Sequence, residues 1–272
     1  VPDEHCRHAR ELQPQAKRIA ESARHLGQPT VSLCMIVKDE EEMLPGCLEA
    51  AAPWVDQVIV VDTGSTDTTC DVIESLLDEA GIPGELHHRP WRDFGHNRTE
   101  ALELARPLAE HRWMLDADDL VTGALDLSGL SADAHDLRFG PRPEYWRTQI
   151  FRSDRDWVYE GVVHEYPRCL DGPTEIARVD GDYVVVFRSI GARSRLPDKY
   201  ERDAALLLAA AGSDPSNPRT AFYLAQSYRD AGLLHEALEW YERRASMEGW
   251  PEETYVALLE RARLLERLDE PH

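Results

Sequence analysis

Val58-Ile-Val-Val-Asp-Thr-Gly-Ser-Thr-Asp67 decides how this chain reads. Its first four residues are all β-branched, with no polar residue among them, which is the composition of a strand buried on both faces. The run passes directly into Asp62-Thr-Gly-Ser-Thr-Asp67, a turn whose Ser, Thr and Asp side chains can cap a helix over residues 68–80. On the N-terminal side, Val31-Ser-Leu-Cys-Met-Ile-Val37 is a second buried strand. Residues 40–52 between them read as a helix, with Leu44, Cys47, Leu48 and Ala51 on one face. On the C-terminal side, 84–88 reads as a third strand, and 97–109 has helical spacing through Ala101, Leu104, Ala105 and Leu108. Trp113-Met-Leu115 is a short strand ending in Asp116-Ala-Asp-Asp119. This alternation predicts an α/β domain with a mostly parallel sheet and helices on both faces. Such sheets bind ligands beyond the carboxyl ends of their strands, where both acidic clusters, 62–67 and 116–119, stand.

The pattern changes after residue 120. Thr148-Gln-Ile-Phe151, Trp157-Val-Tyr159 and Tyr183-Val-Val-Val-Phe187 are short β-like runs without helices between them. From Lys199 onward the chain reads as helical, broken at Asp214-Pro-Ser-Asn-Pro218, with helices expected over about 219–231, 234–247 and 251–268. Tyr223, Leu224, Ala225, Tyr228, Gly232, Ala237, Leu238 and Tyr241 alternate small and large as in a tetratricopeptide-type helix pair. One such pair is too few for a free-standing solenoid. The expected divisions are an N-terminal helical segment at 1–28, an α/β domain at 29–197 and a small all-α domain at 198–272.

Composition narrows the function. The 272 residues carry a formal net charge of −21, which argues against nucleic acid as a partner because phosphate binding needs a basic surface. No stretch approaches the roughly 20 apolar residues of a membrane span. No charged segment followed by an apolar one opens the chain, so the plain expectation is a cytoplasmic enzyme. Cys6, Cys34, Cys47, Cys70 and Cys169 are scattered and form no C-x-x-C pair, so their spacing predicts neither a zinc site nor a disulfide framework. Cys34, inside an apolar run, is expected in the core.

In Asp116-Ala-Asp118, two carboxylates at i and i+2 just past a strand end can both reach one hard cation, which in turn neutralises a diphosphate. Alone, such a pair is more often a solvated turn. Its company changes the balance. Val31-Ser-Leu-Cys-Met-Ile-Val-Lys-Asp-Glu40, Val58 to Asp67, Phe94-Gly-His-Asn-Arg-Thr-Glu-Ala101 and Leu115-Asp-Ala-Asp-Asp119 resemble, in order, the motifs of family 2 glycosyltransferases with the GT-A fold. Phe222-Tyr-Leu-Ala-Gln-Ser-Tyr-Arg-Asp230 and Glu236-Ala-Leu-Glu-Trp-Tyr-Glu-Arg-Arg244 resemble the tetratricopeptide part of one subgroup.

The resemblance implies a nucleotide-diphosphate sugar donor, UDP- or GDP-linked, and a divalent cofactor, Mn²⁺ or Mg²⁺. It implies that Asp62 accepts a hydrogen bond from the base, with Gly64 and Ser65 in the same turn. Val37, Asp39 and Glu40 would line the base or ribose, and Asn97 and Arg98 would lie near base and phosphate. Asp116, Ala117 and Asp118 would bridge ribose, metal and diphosphate. The acceptor stays open among saccharides, peptides and small molecules.

Trp157-Val-Tyr-Glu-Gly-Val-Val-His-Glu-Tyr166 is similar to an acceptor-side element of that family. Inverting transfer needs a carboxylate base, and Glu165 is the candidate, with His164 as a possible metal ligand. Read as a strand, the segment turns His164 and Glu165 to opposite faces, and only one can serve the site. Asp154, Asp156 and Glu160 are the fallback bases. Two other classes compete. A nucleotidyltransferase would have a Gly- and basic-rich loop after the first strand, whereas Val37-Lys-Asp-Glu-Glu-Glu42 is acidic. A non-catalytic scaffold would not need Asp62, Asp116 and Asp118 together. The metal carboxylates are expected to be exposed loop residues, removable without harm to the fold.

Overall fold

The structure, a computed structural model, describes residues 29–188 and 191–269. The helical segment expected over 1–28 lies outside the described residues. The described residues form two compact units: one of those up to Arg92 with Asn97–Val158 and those from Pro167 to Ala192, the other of Asp93–His96, Tyr159–Tyr166 and those from Arg193. The second takes in two short segments that lie within the stretch 29–197 in sequence.

In the first unit, β1 (Val31–Val37), β2 (Gln57–Asp62), β3 (Gly84–His88) and β4 (His111–Met114) pair in parallel in the order β3-β2-β1-β4. Helices α1 (Leu44–Ala51), α2 (Thr69–Ala80) and α3 (Phe94–Ala105) follow the first three strands. The strands run where the apolar stretches do. Leu33, Met35, Ile59 and Val60 are at most 1% exposed, and each such side chain contributes about 1.5–3 kcal/mol of transfer free energy. Register places Val37 beside Asp62, so both strands end together and deliver their following loops to one edge.

Mixed pairing extends the sheet: β7 (Tyr145–Arg152) joins β4 and β6 (Ala134–Gly140) joins β7 antiparallel, β11 (Asp180–Phe187) lies parallel to β6 and antiparallel to β5 (Asp119–Asp126), and β10 (Ile176–Arg178) also pairs in parallel with β6. The fully buried Arg112 on β4 donates to the carbonyls of Leu102, Arg152 and Arg155 at 3.3, 2.9 and 2.8 Å. Carbonyl acceptors on both Nη groups offset part of the cost of burying this guanidinium, whose Nε is buried without a partner.

The second unit holds α4 (Lys199–Ser213), α5 (Pro218–Asp230), α6 (Leu234–Ala245) and α7 (Pro251–Asp269). Asn217 caps α5 by accepting from the Thr220 amide at 3.0 Å, with Pro218 at the first helical position. Gly232, at φ 79°, makes the turn into α6 without a Cβ penalty. Ala225, Ala237 and Ala257 are fully buried, so the helices meet at small residues while Phe222 and Tyr241 fill the remaining space edge to face.

The strand reading of 157–166 needs correction. Strand β8 (Trp157–Glu160) ends before the Val-His-Glu element, and β9 (Tyr166–Cys169) begins after it. Residues 161–165 are a loop, with Gly161 at φ 104° and His164 at φ 56°. Two left-handed residues in four break the two-residue alternation, so opposite-face logic does not apply to His164 and Glu165. The loop is held closely: a Cβ at Gly95 would lie 2.4 Å from the Gly161 carbonyl oxygen.

Candidate active site

Two loops at the carboxyl edge of β1 and β2 are sewn together. The Asp39 amide donates to Ser65 Oγ at 3.0 Å, and Asp39 Oδ1 accepts from the Thr66 amide at 2.7 Å. The Glu40 amide donates to Thr69 Oγ1 at 2.8 Å. Val37 is buried, and its carbonyl accepts from both the amide and the hydroxyl of Thr63. Asp39 takes the left-handed φ of 55° that this approach requires.

Asp62 does not cap α2. Its carboxylate accepts from the Gly64 and Ser65 amides at 3.2 and 3.0 Å, closing its own turn, while Asp67 Oδ1 takes the Thr69 amide and hydroxyl at the helix start. Burial pushes the Asp62 pKa up, but hydrogen bonds from Ser65, His88 and Gly64 outweigh it and hold the group below the usual carboxylate range. Asp62 is therefore a fixed, ionised acceptor. Gly64 at φ 104° permits the turn.

The second cluster lies after β4. Arg98 Nη2 donates to Asp116 Oδ1 at 2.6 Å, and Arg147 Nη2 lies 3.7 Å from Asp116 Oδ2. Burial pushes Asp116 up, and these two guanidiniums bring it below its ordinary pKa. Asp116 is thus not the exposed loop carboxylate expected: its side chain is 23% exposed, and the Arg98 side chain 8%. Asp118 has the opposite balance, since burial and the neighbouring Asp116 both raise its pKa. Asp119 is pushed up to about 8 by burial and by Asp116, and both its carboxyl oxygens are buried without a hydrogen-bond partner.

Glu40 and Asp118 approach the same peptide segment. Glu40 Oε1 accepts from the Ala192 amide at 3.0 Å, and the Gly191 amide donates to Asp118. A Cβ at residue 191 would fall 3.0 Å from Glu40 Oε1 and 3.3 Å from Asp118 Oδ2, so glycine is the residue that leaves room there. Arg188 fixes the acidic loop from behind, donating to the carbonyls of Asp118, Ala117 and Met43 at 3.0, 3.2 and 3.1 Å.

The first unit therefore gathers Val37, Asp39, Glu40, Asp62, Gly64 and Ser65 around one pair of loops, and Arg98, Asp116, Ala117 and Asp118 around the other. Asn97 is fully buried and spends both ends of its amide on the 90–92 loop, accepting from the Arg92 amide and donating to the Pro90 carbonyl. Arg147, Arg188 and Gly191 escape sequence reasoning because strand pairing, not chain proximity, brings them in. A signal did exist for Arg147, since it adjoins the β-like run 148–151.

His164 and Glu165 belong to the second unit. The His164 ring stacks on Tyr223 at 4.1 Å, and its carbonyl accepts from Arg219. Of the fallback bases, Asp154 pairs with Arg152, Asp156 accepts from Arg106 at 3.3 Å, and Glu160 Oε2 accepts from the Tyr166 hydroxyl at 2.7 Å.

Burial raises the pKa values of Asp118 and Asp119 together. A carboxyl whose folded pKa lies above its unfolded value binds more protons when folded, so stability falls as pH rises from about 4 to the folded pKa of about 8. Asp119→Asn keeps the shape and removes that titration. Its melting temperature should overtake that of the wild type progressively between pH 5 and pH 8. Parallel melting curves across that range would contradict the burial of an ionisable Asp119.

The parallel β3-β2-β1-β4 core with two acidic loops at its carboxyl edge defines a GT-A type α/β domain. Residues 32–139 match the model "Glycosyl transferase family 2". The chain is 30% identical over 230 residues to the SPbeta prophage-derived glycosyltransferase SunS of Bacillus subtilis, covering 79% of this chain and 53% of SunS. It is 43% identical over 90 residues to a TPR repeat-containing protein of Synechococcus elongatus, covering 33% of this chain and 20% of that protein. The chain thus spans about half the length of one relative and a fifth of the other. Among solved structures, a mannosyltransferase of Pyrobaculum calidifontis in complex with GDP-Man and Mn²⁺ aligns with TM-score 0.46 and 16% identity, over 95% of this chain and 89% of that one. Among the described residues, no helix is long and apolar enough to cross a membrane.

Proposed function

We propose that this chain transfers a sugar from a nucleotide-diphosphate sugar to an acceptor, with inversion and with a divalent cation at the donor. The observation that carries this reading is the asymmetry of the acidic loop. Asp116 is neutralised by Arg98 and Arg147, while Asp118 beside it is held against its own ionisation by burial and by Asp116. Excess negative charge of this kind fits a cation. Hard oxygen donors fit Mn²⁺ or Mg²⁺. Asp118 would hold the ion, and Asp116, tied to Arg98, would orient the ribose. A bound cation supplies charge neutralisation on the departing diphosphate.

The residues around it have separable tasks. Asp62 offers a fixed ionised acceptor to a base N–H, and the interlocked 37–40 and 62–66 loops keep that acceptor in place. Arg98 and Arg147 bring positive charge to the phosphate side. Glu165 is the proposed base that takes the acceptor's proton as the new glycosidic bond forms. The match of residues 32–139 to the family 2 model and the likeness to SunS, itself named a glycosyltransferase, support the transferase reading. His164 as a further metal ligand and a tetratricopeptide-like role for residues 198–272 belong to the same proposal, as do the divisions at 1–28, 29–197 and 198–272.

Calorimetry with UDP and GDP tests the nucleoside end of the site. Asp62→Asn should weaken one of them by about 10- to 100-fold, the scale of a hydrogen bond to a charged group at about 1.5–3 kcal/mol. Affinity for Mn²⁺ alone should stay close to that of the wild type. Unchanged nucleotide affinity would reduce Asp62 to a residue that closes its own turn.

A further inference from the structure

The carboxyl edge of β2 carries a group of side chains of which the proposed sugar transfer uses only Asp62. Asp62 ends β2, Cys70 lies in the first turn of α2, and His88 ends β3. One ligand atom from each lies within 4.8 Å of the other two, and His88 Nδ1 is 3.2 Å from Asp62 Oδ2. Among the described residues this is the group of three His, Cys, Asp or Glu side chains that converges closely enough to hold an ion. The three are separated by 8 and 18 residues in the chain, so no spacing motif announces them.

We infer that Asp62, Cys70 and His88 form a binding site for a soft divalent cation of the Zn²⁺ type. Thiolate, imidazole and carboxylate are the donors Zn²⁺ prefers, whereas Mn²⁺ and Mg²⁺ prefer oxygen. The site is therefore chemically distinct from the all-carboxylate loop at 116–119. Zinc bonds of about 2.0–2.3 Å put tetrahedral donors roughly 3.3–3.7 Å apart, so the group must contract by about 1 Å. The mobile partner is His88, whose side chain is 68% exposed, while Asp62 is buried and held by its turn amides. Three protein ligands leave a fourth position for water. Asp67, Asp71 and Glu74 surround Cys70 with negative charge that favours a cation. On binding, the Cys70 thiol gives its proton to solvent as the sulfur–zinc bond forms, with no change in oxidation state.

The site has a functional consequence, which rests on the proposed role of Asp62. A cation on Asp62 occupies the carboxylate that would accept from the base, so Zn²⁺ should exclude the nucleoside. Zinc would then inhibit from the base end of the donor site rather than by replacing Mn²⁺ at Asp118.

Two measurements on the full chain separate these claims. In the first, Zn²⁺ alone is titrated by calorimetry and Co²⁺ by absorbance. Zn²⁺ should bind the wild type, Cys70→Ser and His88→Ala should each weaken it at least about tenfold, and Co²⁺ should give a thiolate charge-transfer band that Cys70→Ser lacks. Absence of Zn²⁺ binding, wild-type affinity in both variants, or no thiolate band overturns the site. In the second, binding of uridine and guanosine, which carry no diphosphate to chelate the metal, is followed by saturation-transfer NMR. Zn²⁺ should weaken it in the wild type and not in Cys70→Ser. A site that passes the first measurement with nucleoside binding untouched refutes the role given to Asp62 and leaves the zinc site standing.

Discussion

Asp118→Ala should reduce sugar transfer by roughly 10³-fold or more, the scale of losing a preorganised electrostatic contact at a site of developing charge. It should do so without loss of stability. Burial and Asp116 raise the Asp118 pKa, so its ionised form is held at a cost that alanine removes. Melting temperature at neutral pH is therefore expected to stay level or rise while turnover disappears. Asp116→Ala should also abolish transfer, but it cannot be so clean. It leaves the nearly buried Arg98 guanidinium without its 2.6 Å partner, and breaking such a pair costs about 3–5 kcal/mol. Near-normal, metal-dependent transfer by Asp118→Ala would remove the acidic loop from the mechanism.

Glu165→Gln carries the second large effect. A positioned general base supplies a factor of roughly 10² to 10⁴, and glutamine keeps size and hydrogen bonding while removing basicity. Turnover should fall by that factor with donor affinity close to normal. Glu165 is proposed from its place in the Val163-His-Glu165 element. Asp154 and Asp156 are engaged by Arg152 and Arg106, and Glu160 by the Tyr166 hydroxyl. Wild-type turnover in Glu165→Gln, with loss in Glu160→Gln, would move the base to Glu160 and leave the donor site intact.

How much of this is legible in the sequence depends on how local the cause is. Strands β1 and β2 are visible because each is a continuous apolar run, and burial on both faces writes itself into composition, whereas β3 and β4 carry Glu, His and Arg and show the pattern less clearly. The helices from Lys199 are visible from their helical spacing, with Asn217-Pro218 and Gly232 marking their limits. The Val-His-Glu element is misread as a strand because its flanks are β-like, while Gly161 and His164 take left-handed conformations that alternation cannot express.

At the site, residue types in the acidic loop are evident and their charge states are not. Asp116 and Asp118 look equivalent in sequence. They diverge because Arg98 from α3 and Arg147 from β7 pair with the first, while Asp118 is raised by burial and by Asp116. Likewise, scattered cysteines suggest nothing until β2, α2 and β3 bring Cys70 to Asp62 and His88. Long-range pairing decides both outcomes, and a linear reading has no access to it.

The central claim is metal-dependent use of a nucleotide-sugar, and release of nucleoside diphosphate from a panel of UDP- and GDP-sugars tests it most directly. With Mn²⁺ or Mg²⁺ present, the wild type should cleave at least one donor, a chelator should stop it, and Asp118→Ala should show none. Cleavage that persists unchanged in the chelator, or no cleavage of any donor with either metal, would contradict the account.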